Sequence, residues 1–81
     1  MSYFIYMLKC CDDTLYTGIT TDIKRRVNEH NNSVKGAKYT KLRRPVELVY
    51  CEESENRSSA SKREYAIKKL SRKEKLELIN V

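Results

Sequence analysis

Apolar residues in this chain come in three short bursts and in helical stripes between and after them. The first burst, Tyr3-Phe4-Ile5-Tyr6-Met7-Leu8, is unbroken and rich in aromatic and β-branched members. A strand with both faces apolar belongs in the middle of a sheet. Cys11-Asp12-Asp13-Thr14 is turn chemistry, and Leu15-Tyr16-Thr17-Gly18-Ile19 follows as a second strand, so the two predict a β-hairpin. Gly18 is costly inside a strand. It marks a bulge or a place where something approaches the backbone closely.

Thr20, Thr21 and Asp22 are N-cap candidates for a helix over Ile23 to Asn31. Ile23 and Val27 share its buried face. Arg26 and His30, one turn apart, run along the edge of that face, while Arg25 points to solvent. Asn32 to Pro45 lacks a clear period and admits a helical turn near residues 37–42. Val46 to Cys51 predicts a third strand with Pro45 at its start, where proline is tolerated, and Glu52 to Asn56 an acidic turn. Residues 57–70 predict a second long helix with Ala60, Ala66, Ile67 and Leu70 inward. Glu64 falls just outside that arc and Arg63, without an obvious reason, in its middle. Ser71-Arg72-Lys73-Glu74 is a capping-box pattern, so a third helix starts there, with Leu76 and Ile79 inward. The order β-β-α-β-α-α predicts an α+β fold: a three-stranded antiparallel sheet, first strand central, packed by three helices.

Composition adds a boundary and a bias. Eighty-one residues make one domain, 1–81, because a second would have no room for its own core. Only 40% of residues are apolar, so the core must be thin. Lys and Arg number 17 against 11 acids, a net charge of +6. The surplus is polarised: eight basic residues against two acids between Asp22 and Pro45, and again between Arg57 and Lys75. Such a surface suggests a polyanion partner. Lys35, Lys38, Lys41, Arg43 and Arg44, with Tyr39 interleaved, suit phosphate and base contacts; they equally fit an exposed polar loop. The first apolar run is far shorter than the ~18 residues a membrane span needs. Three cysteines without a secretory signal argue for reduced thiols in the cytoplasm. A zinc site would need a fourth ligand besides the single His30, and small, half-buried side chains are the better reading.

Tyr6, Tyr16, Arg26, His30 and Glu64 are reactive types that the core leaves unassigned. No serine-nucleophile, phosphate-loop or metal-rich histidine motif accompanies them. An arginine phosphate clamp, a proton acceptor at His30 or a tyrosine, and one carboxylate for a hard cation would make a minimal phosphodiesterase set.

Phe4-Ile5-Tyr6, followed ten residues after its tyrosine by Tyr16-Thr17-Gly18, resembles the motif pair of the GIY-YIG nuclease superfamily. Arg26, His30 and Glu64 match in register, and the chain most resembles the small stand-alone YhbQ-like bacterial proteins of that superfamily. The first motif lacks its glycine. The resemblance implies that Tyr6 and Tyr16 line a catalytic site and help activate water. It implies that Arg26 holds the scissile phosphate, that His30 stands where relatives carry His or Tyr, and that Glu64 binds a single Mg2+ or Mn2+. The partner it implies is nucleic acid, DNA in the first place, in repair or recombination, with no small-molecule cofactor and room for a protein that targets the domain. The alternative is a non-catalytic nucleic-acid-binding module of the same fold.

Strand parity sets a condition. A two-residue turn at Asp12-Asp13 would put Tyr6 opposite Ile19 and Tyr16 opposite Lys9, on opposite faces of the sheet. One shared site therefore requires an odd-length turn or a bulge.

Overall fold

Strand β1 (Tyr3–Lys9) is hydrogen-bonded on both sides, to β2 (Leu15–Thr20) and to β3 (Glu47–Ser54), all antiparallel, in the order β2-β1-β3. This is the computed structural model of the chain, and it describes residues 2–80; Met1 and Val81, the ends of the expected domain, lie outside the described residues. The β1–β2 loop spans residues 10–14, an odd count. The Cys10 N–H donates to the Thr14 carbonyl at 2.9 Å, and the Asp13 N–H to the Cys10 carbonyl at 2.9 Å. Asp13 takes a left-handed φ of 67°, which aspartate tolerates better than most residues. The Asp12 carboxylate accepts from the Thr14 hydroxyl at 2.6 Å and closes the turn. Tyr6 consequently pairs with Gly18, and Leu8 with Tyr16, so both tyrosines lie on one face.

Because β1 is apolar on both faces, helices cover both. On one side Tyr6, Leu8, Cys10 and Val46 pack with Tyr16 and with Ile23 and Val27 of α1 (Ile23–Asn32). On the other, Ile5 and Met7 pack with Ala60 and Ile67 of α3 (Arg57–Lys68) and with Leu78 and Ile79 of α4 (Arg72–Ile79). Between α1 and β3 the chain makes one short turn, α2 (Lys38–Lys41). Ile5, Met7 and Leu8 are fully buried; each contributes roughly 1.5–3 kcal/mol of transfer free energy.

Three local expectations are corrected. Strand β3 runs on through Glu52 and Glu53 to Ser54, because these residues pair with Ile5, Phe4 and Tyr3, leaving little of the acidic turn. Its register shifts at Val49, where Met7 faces Tyr50 and Leu8 faces Leu48. Ala66 is exposed, and α4 packs inward through Leu78 and Ile79 while Leu76 stays partly exposed. Arg63 has a clear role: its Nε donates to both oxygens of Glu52, at 3.1 and 3.0 Å, and Tyr50 donates its hydroxyl to the same carboxylate. This ties α3 to β3.

The caps are as the sequence indicates. Asp22 accepts from the Arg25 N–H at 3.0 Å, and Ser71 and Glu74 form the reciprocal capping box. At the other end of α1, Arg44 donates to the carbonyls of His30, Glu29 and Ser33. The His30 carbonyl, which the helix leaves unpaired, is served by this side chain, while those of Glu29 and Ser33 also accept the Ser33 and Gly36 N–H groups. Gly36 lets this segment close down. A Cβ there would sit 2.7 Å from the Glu29 carbonyl oxygen.

Candidate functional site

The sheet face under α1 brings Tyr6, Tyr16 and His30 into one aromatic cluster. Ring centroids lie 5.1 Å apart for Tyr16 and His30, 5.8 Å for Tyr6 and His30, and 6.4 Å for the two tyrosines. Gly18 makes the room. A Cβ at that position would lie 2.7 Å from the Tyr6 hydroxyl and 3.2 Å from the Tyr16 ring. What approaches the Gly18 backbone is the tyrosine of the neighbouring strand.

His30 is fully buried, further in than a position on the edge of a helix face suggests. Its ring lies 2.7 Å from the Tyr6 hydroxyl through Nε2 and 2.8 Å from Thr40 Oγ1 through Nδ1. The Thr40 hydroxyl donates to the Ala37 carbonyl at 2.9 Å, so Thr40 Oγ1 accepts from His30. That assigns the proton of the neutral ring to Nδ1 and leaves Nε2 to accept from Tyr6. Thr40 is a buried neighbour of the candidate site that the sequence did not single out; it sits in the segment without a period, where no local signal marks it.

Electrostatics fix the protons on this chain. Burial lowers the His30 pKa to about 4, helped by the positive charges of Arg26 and Arg44 and opposed by Glu29. Burial, and then Tyr16, push Tyr6 up to about 12, while the Arg26 guanidinium pulls it back. With the two values so far apart, the proton stays on Tyr6 in the free protein.

Arg26 and Arg25 divide as their helical positions indicate. The Arg25 side chain is 57% exposed and the Arg26 side chain 24%. Nη1 of Arg26 donates to Glu29 at 3.0 Å and to the Lys35 carbonyl at 2.9 Å. Beyond the approach of the Tyr6 hydroxyl, its Nε–Nη2 edge has no hydrogen-bond partner among the described residues. That edge is the one a phosphate can engage with two parallel bonds. The bond to Arg26 holds the Glu29 carboxyl below its ordinary range.

Glu64 comes from the opposite layer, on α3. Its side chain is 23% exposed and lies 3.4 Å from Lys68 Nζ. No direct bond joins it to the other four residues, yet its charge is felt at the Tyr6 hydroxyl, where it raises the pKa. Helix α3 packs against β2 and β1.

The five basic residues separate by use. Lys35, Lys38 and Lys41 are exposed. Arg43 donates to Asp12 at 3.1 Å and lies 4.0 Å over the Tyr39 ring, which itself stacks on Tyr16 at 6.0 Å. Arg44, also expected among the nucleic-acid contacts, is half-buried and bonds to backbone carbonyls at the end of α1. A concavity of about 960 Å³ runs along α1 past Val27 to Leu48, and none of the five site residues lines it. Cys10, Cys11 and Cys51 are free thiols.

A family model described as the GIY-YIG catalytic domain matches residues 2–77. UPF0213 protein DP2720 of Desulfotalea psychrophila is 60% identical over 78 residues, covering 96% of this chain and 71% of that protein. UPF0213 protein SSP2268 of Staphylococcus saprophyticus is 55% identical over 78 residues, 96% of this chain and 94% of that one. Among solved structures, the UPF0213 protein BH0048 of Bacillus halodurans superposes with a TM-score of 0.63 at 42% identity, covering 99% of this chain and 84% of that chain. The E. faecalis protein EF2693 gives 0.64 at 51% identity, covering 93% and 79%.

Proposed function

Since the chain belongs to the GIY-YIG catalytic-domain family, we propose that it is a nuclease-type domain: an endonuclease that hydrolyses phosphodiester bonds in nucleic acid, DNA in the first place. The observation that carries this reading is the Tyr6 hydroxyl, bonded to His30 at 2.7 Å and flanked by Tyr16 and Arg26. In this reading Arg26 takes the scissile phosphate on its open edge. His30 fixes the direction of the Tyr6 O–H, so that the tyrosine oxygen keeps its lone pairs for a water. Added positive charge near that hydroxyl would lower its pKa, and Tyr6 could then pass its proton to Nε2 as it takes one from the water. Tyr16 walls the site and carries the Tyr39–Arg43 stack.

Glu64 fits one hard cation, Mg2+ or Mn2+. It offers a carboxylate oxygen, is half-buried and reaches Tyr6 electrostatically. Such ions accept one or two carboxylates and fill the rest of their sphere with water and phosphate oxygens. Among the described residues no three His, Cys, Asp or Glu cluster, so substrate would share in holding the ion, and Lys68 would give way. When bound, the ion would neutralise charge on the leaving oxygen. Lys35, Lys38, Lys41 and Arg43 would guide the nucleic-acid backbone. No helix among the described residues is long and apolar enough to cross a membrane; the free thiols fit a cytoplasmic setting, and a repair or recombination role fits the chemistry.

A second reading keeps the fold and basic surface without turnover. The Glu64–Lys68 pair and the proton held on Tyr6 favour it. Incubation with single-stranded, duplex and branched DNA and with RNA, with Mg2+ and with EDTA, separates the two. Metal-dependent product supports the nuclease; salt-sensitive binding without product supports the module.

A further inference from the structure

Tyr65, next to Glu64 on α3, has the most exposed aromatic ring among the described residues, at 62%. Lys69, one turn on, places its Nζ 4.3 Å over the ring centroid. One ring face thus carries a cation, and the rest of the ring stands in solvent. Lys62, one turn earlier, and Arg72 and Lys73 at the start of α4 are exposed as well. The acids in this stretch are both engaged, Glu64 with Lys68 and Glu74 in the capping box of α4. Arg63, whose charge is met by Glu52, does not belong to the patch. Tyr39, the aromatic that the sequence interleaves with basic residues, is already packed against Arg43 and Tyr16. Tyr65 is the aromatic left free.

We propose that Tyr65, backed by Lys69, is a stacking platform for an unpaired nucleobase of a strand bound beside Glu64, with Lys62, Arg72 and Lys73 following the backbone. This rests on the nuclease-type reading and extends it to a second face. A strand held at Glu64 passes Tyr65 on the same helix. An exposed ring among cations is how proteins take bases without reading sequence.

The chain has no tryptophan, so Tyr65→Trp supplies a single reporter. Its fluorescence should be quenched on titration with a short single-stranded oligonucleotide. Tyr65→Ala should weaken binding about tenfold with the salt dependence kept, and Lys69→Ala should lower the salt slope by about 1. An unquenched Trp with unchanged affinity in Tyr65→Ala, while Lys38→Ala still weakens binding, overturns the platform and leaves the nuclease reading standing. Equal quenching by a blunt duplex overturns the unpaired base. A wild-type chain that binds no nucleic acid at low salt overturns both.

Discussion

The Tyr6 hydroxyl donates to Nε2 of His30 across 2.7 Å, between a central strand and a helix whose positions are 24 residues apart. The imidazole is buried and neutral, and its other nitrogen is committed to Thr40.

That burial predicts an acid-sensitive fold. His30 takes up a proton near 6.5 in the unfolded chain but only near 4 in the folded one. Between these values the unfolded state binds more protons. Stability is therefore full above about pH 6.5 and falls as pH drops towards 4, by about 3 kcal/mol in all. His30 is the only histidine, so denaturant titrations at pH 7 and pH 4.5 should differ sharply in the wild type. In His30→Gln, already destabilised at pH 7, that difference should shrink to the part due to carboxylates.

Gly18 should be coupled to Tyr6. Gly18→Ala puts a methyl 2.7 Å from the Tyr6 hydroxyl and 2.9 Å from Cζ, and should cost about 1–3 kcal/mol. In a Tyr6→Ala background most of that penalty should vanish, and a double-mutant cycle by denaturant unfolding measures the coupling.

Arg44 and the exposed lysines should part company. Arg44→Ala leaves the His30 carbonyl without its donor and removes the side-chain tie to Ser33 at the end of α1, and should lose about 1–3 kcal/mol of stability. Lys38→Ala and Lys41→Ala should leave stability within ~0.5 kcal/mol and lower the salt slope of nucleic-acid binding by about 1 each. Thermal melts and binding isotherms at several salt concentrations check both.

These contrasts mark what could be read from the residues. The β1 run, the hairpin and the α4 capping box were legible because each is a local pattern. The separation of Arg26 from Arg25 was legible from helical phase. Strand parity stated the condition on Tyr6 and Tyr16, and the five-residue loop meets it, although no residue in 10–14 announces that length. Residues 32–45 stayed opaque because their conformation is set by distant partners: Arg44 by the end of α1, Arg43 by Asp12, Thr40 by His30. Glu64 was legible as a carboxylate the core leaves unassigned, but its link to the other four only through family resemblance. It approaches the site from the opposite layer, and no spacing within α3 encodes that.

The most direct test of the proposed nuclease site is the rate of Mg2+-dependent phosphodiester cleavage by the wild type beside Arg26→Ala and Glu64→Gln. The wild type should cleave and EDTA should abolish that cleavage, while each variant, still folded, should lose about 10²–10³-fold. Cleavage at the wild-type rate in both variants would contradict the proposed site.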